Sequence, residues 1–166
     1  TNGVTLQNLT VINPLAPTIA KSFSPNPVAT TVPTVLTFTL VNPNTVPIAA
    51  VTFTDAFPTT PAPGMTVATP LTVTNTCGGT LVNNLNTALV AGNLGIRLNG
   101  GTMAANATCT ISVKVVTTTI GNYANTTGVV ATTNNGATTT GGTATSTLNV
   151  LASVPPFIAK AFSPAA

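Results

Sequence analysis

Three residues of this 166-residue chain have the types and placing for joint covalent chemistry: Lys21, Asp55 and Asn125. Side chains alternate across a strand, so parity reports which face each residue joins. Lys21 shares parity with Ile19 and Phe23, Asp55 with Val51, Phe53 and Phe57, and Asn125 with Tyr123 and Val129. All three are therefore expected to point into the core. An isolated ammonium or carboxylate there costs several kcal/mol even after relaxation. One remedy is a buried Lys21–Asp55 salt bridge, with Asn125 capping a turn. A second neutralises both groups, because desolvation lowers a lysine pKa and raises an aspartate pKa. A neutral amine beside a carboxamide and a protonated carboxyl is set up for condensation. Lys21 would attack the Asn125 side-chain carbonyl, Asp55 would polarise it and shuttle protons, and ammonia would leave. The product is an intramolecular isopeptide bond. Asn122 rivals Asn125, but its parity sets it opposite Tyr123. In a third arrangement Lys21 snorkels at the sheet edge. Arg97 and Lys114 alternate out of phase with their apolar neighbours and are expected in solvent.

Composition narrows the alternatives. Charged residues make up 3% of the chain, four Lys or Arg and one Asp, with no Glu and no His. Ordinary soluble domains are about one quarter charged. With one carboxylate, two Cys and no His, no metal site of ordinary ligand count can be assembled, and no cofactor is expected. Paired-carboxylate hydrolysis and Ser-His-Asp or Cys-His catalysis fall with it, so the chain is not expected to be an enzyme beyond a single self-directed turnover. A net charge of +3 without a basic cluster does not suit nucleic-acid binding. No apolar run approaches the roughly 18 residues of a membrane span.

The elements that must position these residues are strands. Thr supplies much of the polar content and, being β-branched, suits a pleated surface. Period-2 patterns predict strands at Val4–Ile12, Ile19–Phe23, Thr34–Val41, Val51–Phe57, Leu71–Asn75, Leu94–Leu98, Thr108–Val116, Asn122–Ala131 and Thr143–Leu151. Tight turns are expected at Asn42-Pro43-Asn44, Pro61–Gly64, Asn99-Gly100-Gly101 and Asn134-Asn135-Gly136. No stretch has a helical period. The expected fold is an all-β, immunoglobulin-like antiparallel sandwich.

A repeat organises the chain. TIAKSFSP, from Thr18 to Pro25, returns as FIAKAFSP, from Phe157 to Pro164, so Lys160 repeats Lys21 at an offset of 160 − 21 = 139 residues. Upstream, Leu9, Val11 and Pro17 align with Leu148, Val150 and Pro156. The expected division is residues 1–13 as the last strand of a preceding repeat or a donated strand, 14–152 as one complete repeat, and 153–166 as linker and first strand of the next.

Lys21, Asp55 and Asn125 stand in the chain order Lys, acid, Asn. In this they resemble the Ig-like stalk domains of bacterial adhesins and pilins, which carry Lys–Asn isopeptide bonds and use Asp in the collagen-adhesin type. IAKSFSP, LTFTLVNPN, VTFTDAFP, TCGGT, CTISVKV and GNYANTTG also resemble conserved-repeat β-sandwich modules of large bacterial cell-surface proteins. That likeness implies an exported structural or adhesive protein.

In an exported β-sandwich, Cys77 and Cys109 are expected to form a disulfide rather than two buried thiols. The expected function is therefore mechanical: an extracellular module of a fibre or adhesin stalk, its partners being neighbouring repeats or identical subunits joined by strand overlap or donation. The competing expectation is a module whose end loops bind a host or matrix glycan or protein. Thr117–Thr119 and Thr138–Thr140 could carry O-linked sugar, and a flat Thr array could suit ice, although no short regular repeat supports the latter.

Overall fold

The computed structural model describes residues 13–134 and 136–162. Its strands, in chain order, are β1 (Thr18–Ser24), β2 (Val28–Ala29), β3 (Thr34–Val41), β4 (Ile48–Ala56), β5 (Met65–Val67), β6 (Val73–Asn75), β7 (Thr80–Asn83), β8 (Gly95–Met103), β9 (Thr108–Thr117), β10 (Gly121–Thr126), β11 (Ala131–Asn134), β12 (Ala137–Thr140) and β13 (Thr145–Leu151). The expected strand Val4–Ile12 and the end of the second repeat block, Ser163-Pro164, lie outside the described residues.

The strands form three sheets in one all-β domain. The first runs β1-β3-β9-β5, with β6 also pairing β9; the second runs β10-β13-β2; the third runs β12-β11-β4-β8-β7. Every pairing is antiparallel except the two-residue β2–β13 match. β3 shows why the sequence folds this way. Leu36, Phe38 and Leu40 are fully buried and alternate with half-exposed Thr37 and Thr39, until Asn42-Pro43 ends the strand. Across the core, Phe38 of β3 meets Phe53 of β4 with ring centroids 5.1 Å apart. Tyr123 of β10 and Leu148 and Val150 of β13 join the same cluster, so the second sheet packs into the core the other two share.

The main strands sit where alternation places them, and the short ones do not show in the pattern. β2, β5 and β7 carry too few residues for a period to emerge, and the stretch expected as one strand over Asn122–Ala131 ends at Thr126. Asn99-Gly100-Gly101 is a correction: it lies inside β8 instead of forming a turn. Gly100 takes φ +68°, and the β4–β8 register shifts between Val51↔Gly101 and Phe53↔Leu98, which marks a bulge. Gly101 is packed closely enough that a Cβ would lie 3.0 Å from Leu98 and 3.1 Å from the Cys77 carbonyl.

Cys77 and Cys109 form a disulfide, tying the loop after β6 to the start of β9. The loop is held besides by the Cys77 N–H to Asn75 Oδ1 and the Thr102 N–H to the Cys77 carbonyl, both 2.9 Å. A disulfide persists in an oxidising compartment. Its sequence separation of 32 corresponds to about 3–4 kcal/mol on the chain-entropy account. Replacing both cysteines by serine is expected to lower the unfolding free energy by about that amount, read as a fall in the urea midpoint. An unchanged midpoint would contradict this role for the bond.

Candidate functional site

Lys21, Asp55 and Asn125 come from three different sheets. Lys21 sits on β1, an edge strand of the first sheet, paired across from Phe38. Asp55 sits on β4, inside the third sheet, paired with Ile96 of β8. Asn125 sits on β10 of the second sheet, paired with Ser146 of β13. Each strand turns an apolar face inward, and parity carries the polar residue along with it. Asp55 and Asn125 are 0% and 1% exposed. Lys21 keeps some exposure as a residue, but its side chain has none.

The three groups meet on one carboxylate. Lys21 Nζ donates to Asp55 Oδ1 at 2.7 Å, a salt bridge closed off from solvent. Asn125 Nδ2 donates to Asp55 Oδ2 at 2.9 Å. The ammonium also stands 5.3 Å from the centre of the Phe38 ring, whose face favours a cation. Both oxygens of Asp55 are thus occupied. Asn125 Oδ1 is buried with no hydrogen-bond partner. An unmade hydrogen bond of this kind costs about 1–3 kcal/mol.

Burial pushes both charged groups toward their neutral forms. Desolvation is the largest influence on Lys21 and lowers its pKa, opposed by the charge and hydrogen bond of Asp55. Desolvation likewise raises the Asp55 pKa, opposed by Lys21 and by the Asn125 amide. The site therefore holds the Lys21 amine, the Asp55 carboxyl and the Asn125 carboxamide in contact.

Placement agrees with parity for all three residues and separates the rivals. Asn122 is exposed on the other face of β10, so Asn125 is the amide that reaches Asp55. Val129, expected to share the face of Asn125, is 54% exposed. β10 ends at Thr126, and the Gly128 N–H bonds to the Thr54 carbonyl, which breaks the alternation before Val129. Lys114 is exposed, while Arg97 is half-buried and donates from Nε to Asn99 Oδ1 at 2.7 Å. The Phe38 contact to Lys21 was not foreseeable, since alternation within β1 and β3 does not reveal their mutual register. Lys160 lies in an exposed segment without secondary structure, 4.6 Å from the ring of Phe162.

An Asn125→Ala chain keeps the amine and acid titratable and gives a pH test. The raised Asp55 pKa contributes stability that is complete below 3.8 and lost as pH rises through the folded value. The lowered Lys21 pKa contributes stability that is complete above 10.5 and lost as pH falls through the folded value. Urea midpoints of this variant are expected to dip across the intermediate pH range. A maximum there would contradict the dominance of desolvation.

No match is found among curated proteins. A profile match does cover residues 17–150, from the turn into β1 to the last strand, and includes Lys21, Asp55, Asn125 and both cysteines. The chain belongs to the family described as a domain of unknown function, DUF7933.

Proposed function

We infer that the chain is a structural module of an extracellular fibre or adhesin stalk, closed internally by a Lys21–Asn125 isopeptide bond as well as by its disulfide. The observation that carries this reading is the meeting of amine, carboxyl and carboxamide at one solvent-free point, with Asp55 touching both of the others. Transfer of the Lys21 proton to Asp55 leaves a neutral nucleophile and a carboxylic acid. With the Asn125 amide turned half round, that acid donates to Oδ1, the atom without a partner, and polarises the carbonyl. Lys21 Nζ then adds to Cγ. Asp55 takes a proton from Nζ and delivers one to Nδ2, which leaves as ammonia. The carbon–nitrogen bond to Nδ2 breaks, the bond to Nζ replaces it, and Asp55 ends protonated, keeping the net proton it took from Lys21. It acts once, on its own domain, so no turnover is proposed.

The mechanical reading follows from what such a bond constrains. It closes a loop of order 100 residues, for roughly 4–5 kcal/mol, and it joins β1 to β10 across two sheets. Support for an immunoglobulin-like sandwich comes from Tyr123, whose hydroxyl donates to the Thr119 carbonyl at 2.9 Å. This is the corner contact of that fold class, with Asn125 two residues on. The repetition of IAK(S/A)FSP at 139 residues supports a tandem array, with neighbouring modules or identical subunits as partners. The disulfide and the near-absence of charge suit a cell surface.

A ligand-binding module is the other reading, and one feature favours it. An open groove of about 300 Å³ runs beside Arg97, lined by Thr52, Thr54, Gly128 and Val129, and could take an acidic sugar. Specific capture on host or matrix glycans would reverse the ranking. Against it, Phe23, Phe38, Phe57 and Tyr123 are buried in the core and line neither this groove nor a binding loop.

Intact mass tests the cross-links. The purified chain is expected to be lighter than its sequence by one ammonia, and by two further hydrogens that return on reduction. Asp55→Ala should regain the ammonia. It should also unfold about 3–5 kcal/mol more easily than the parent, because the cross-link is lost and Lys21 is left buried without its partner. An unmodified mass in the parent chain would refute the isopeptide bond.

A further inference from the structure

Residues 13–17 precede β1 and have no secondary structure, so they look like a flexible tether. Their contacts say otherwise. The Leu15 N–H donates to Asn44 Oδ1 at 2.9 Å, and Asn44 Nδ2 donates back to the Leu15 carbonyl at 2.8 Å. Thr139 Oγ1 of β12 donates to the Pro14 carbonyl at 3.0 Å. Pro14 and Pro17 are buried. Gly141 lets the segment pass closely: a Cβ there would lie 2.9 Å from the Pro17 carbonyl and 3.3 Å from Ala16 Cβ. Asn44 is itself braced. Its N–H and Nδ2 both donate to Asn42 Oδ1, and buried Asn42 donates to the Val46 and Ala104 carbonyls. The receptor is therefore a rigid latch built from the β3–β4 turn and β12.

We propose that this latch is a stiff joint between consecutive modules, and that its occupant is the segment 152–156 of the module before. This rests on the tandem-array reading. At the 139-residue offset, Ile12 corresponds to Leu151, the last residue of β13, and residues 13–17 correspond to Ala152–Pro156. The latch thus engages immediately after the preceding module's last strand, leaving no slack for a hinge. Each hydrogen bond it makes goes to the segment's main chain, so side-chain differences between the two copies are tolerated. The one requirement is an N–H at the Leu15 position, which Val154 supplies. Pro155-Pro156 adds stiffness. The exposed residues beyond β13 fit the same assignment. Val154, Phe157, Ile158 and Phe162 are 84%, 93%, 92% and 83% exposed, whereas Phe23, the counterpart of Phe162, is buried at 7%. In the tandem reading this segment is the occupant of the Asn44 latch and the β3 edge of a following module.

Two experiments test this. In the chain as it stands, amide exchange at Leu15 is expected to be slow. Asn44→Ala should make it roughly five- to tenfold faster, the factor of about one net hydrogen bond, and Thr139→Val should also accelerate it. A fast Leu15 amide in the parent chain overturns the latch. In a doubled chain, residues 1–162 run directly into residues 24–166, which preserves the repeat period and uses the native 152–162 segment. Residual dipolar couplings from the two modules should fit one common alignment frame, and Asn44→Ala in the second module should split it into two. Two well-folded modules with separate frames, with Asn44 intact, overturn the stiff joint alone. A second module that fails to fold on the Lys160-bearing strand overturns the tandem reading, and this inference with it.

Discussion

An ammonium 2.7 Å from a carboxylate, both excluded from water, ties the first sheet to the third, and the Asn125 amide on the same carboxylate brings in the second. β1, β4 and β10 cannot slide independently: a one-residue slip of β1 or β4 would turn its charged residue outward and leave a buried charge unpaired, and a slip of β10 would take the Asn125 amide off Asp55. Stability alone is a weak reason for such a pair, since well-packed apolar residues of similar volume often serve as well. The pair instead imposes register, and it does so beside an amide whose carbonyl oxygen is left without a partner. Those two features fit each other if the ion pair is the precursor of a covalent bond.

The surface follows a different logic from the core. Arg97 and Lys114 are the cations outside the pair within the folded body, among the described residues. Cohesion of the outer faces comes from hydroxyl pairs across strands: Thr74 with Ser112, Thr76 with Thr110, Thr126 with Thr145, and Thr133 with Thr138. Contacts of this type are nearly insensitive to salt, because no surface ion pair has to survive screening. Such a skin suits a module exposed to varied media. The net charge of +3 is what remains on a surface built from Thr and Asn.

Much of the fold was legible because the long strands alternate cleanly. β3 and β9 bury every second residue almost without exception, and both follow directly from the pattern. Lys21, Asp55 and Asn125 were legible for the same reason, since parity alone places them inward. The rest depends on information that one strand does not carry. Which strands pair, and in what register, decides that Phe38 lies under Lys21 and that Asp55 offers one oxygen to each partner. β2 and β5 are too short to show a period, and the bulge at Gly100 reads as a turn when β4 is out of view. Asn42-Pro43-Asn44 was readable as a turn, but its service as a latch depends on residues nearly thirty positions away.

The central claim is that Lys21 and Asn125 finish as one covalent unit. An electron-density map of the chain, crystallised as purified, tests it most directly. Continuous density from Lys21 Nζ to Asn125 Cγ, with the Nδ2 atom gone and Asp55 hydrogen-bonded to the new amide, is the predicted result. A separate Lys21 ammonium resting on Asp55 Oδ1, beside an intact Asn125 carboxamide, would contradict the account and leave a buried salt bridge in its place.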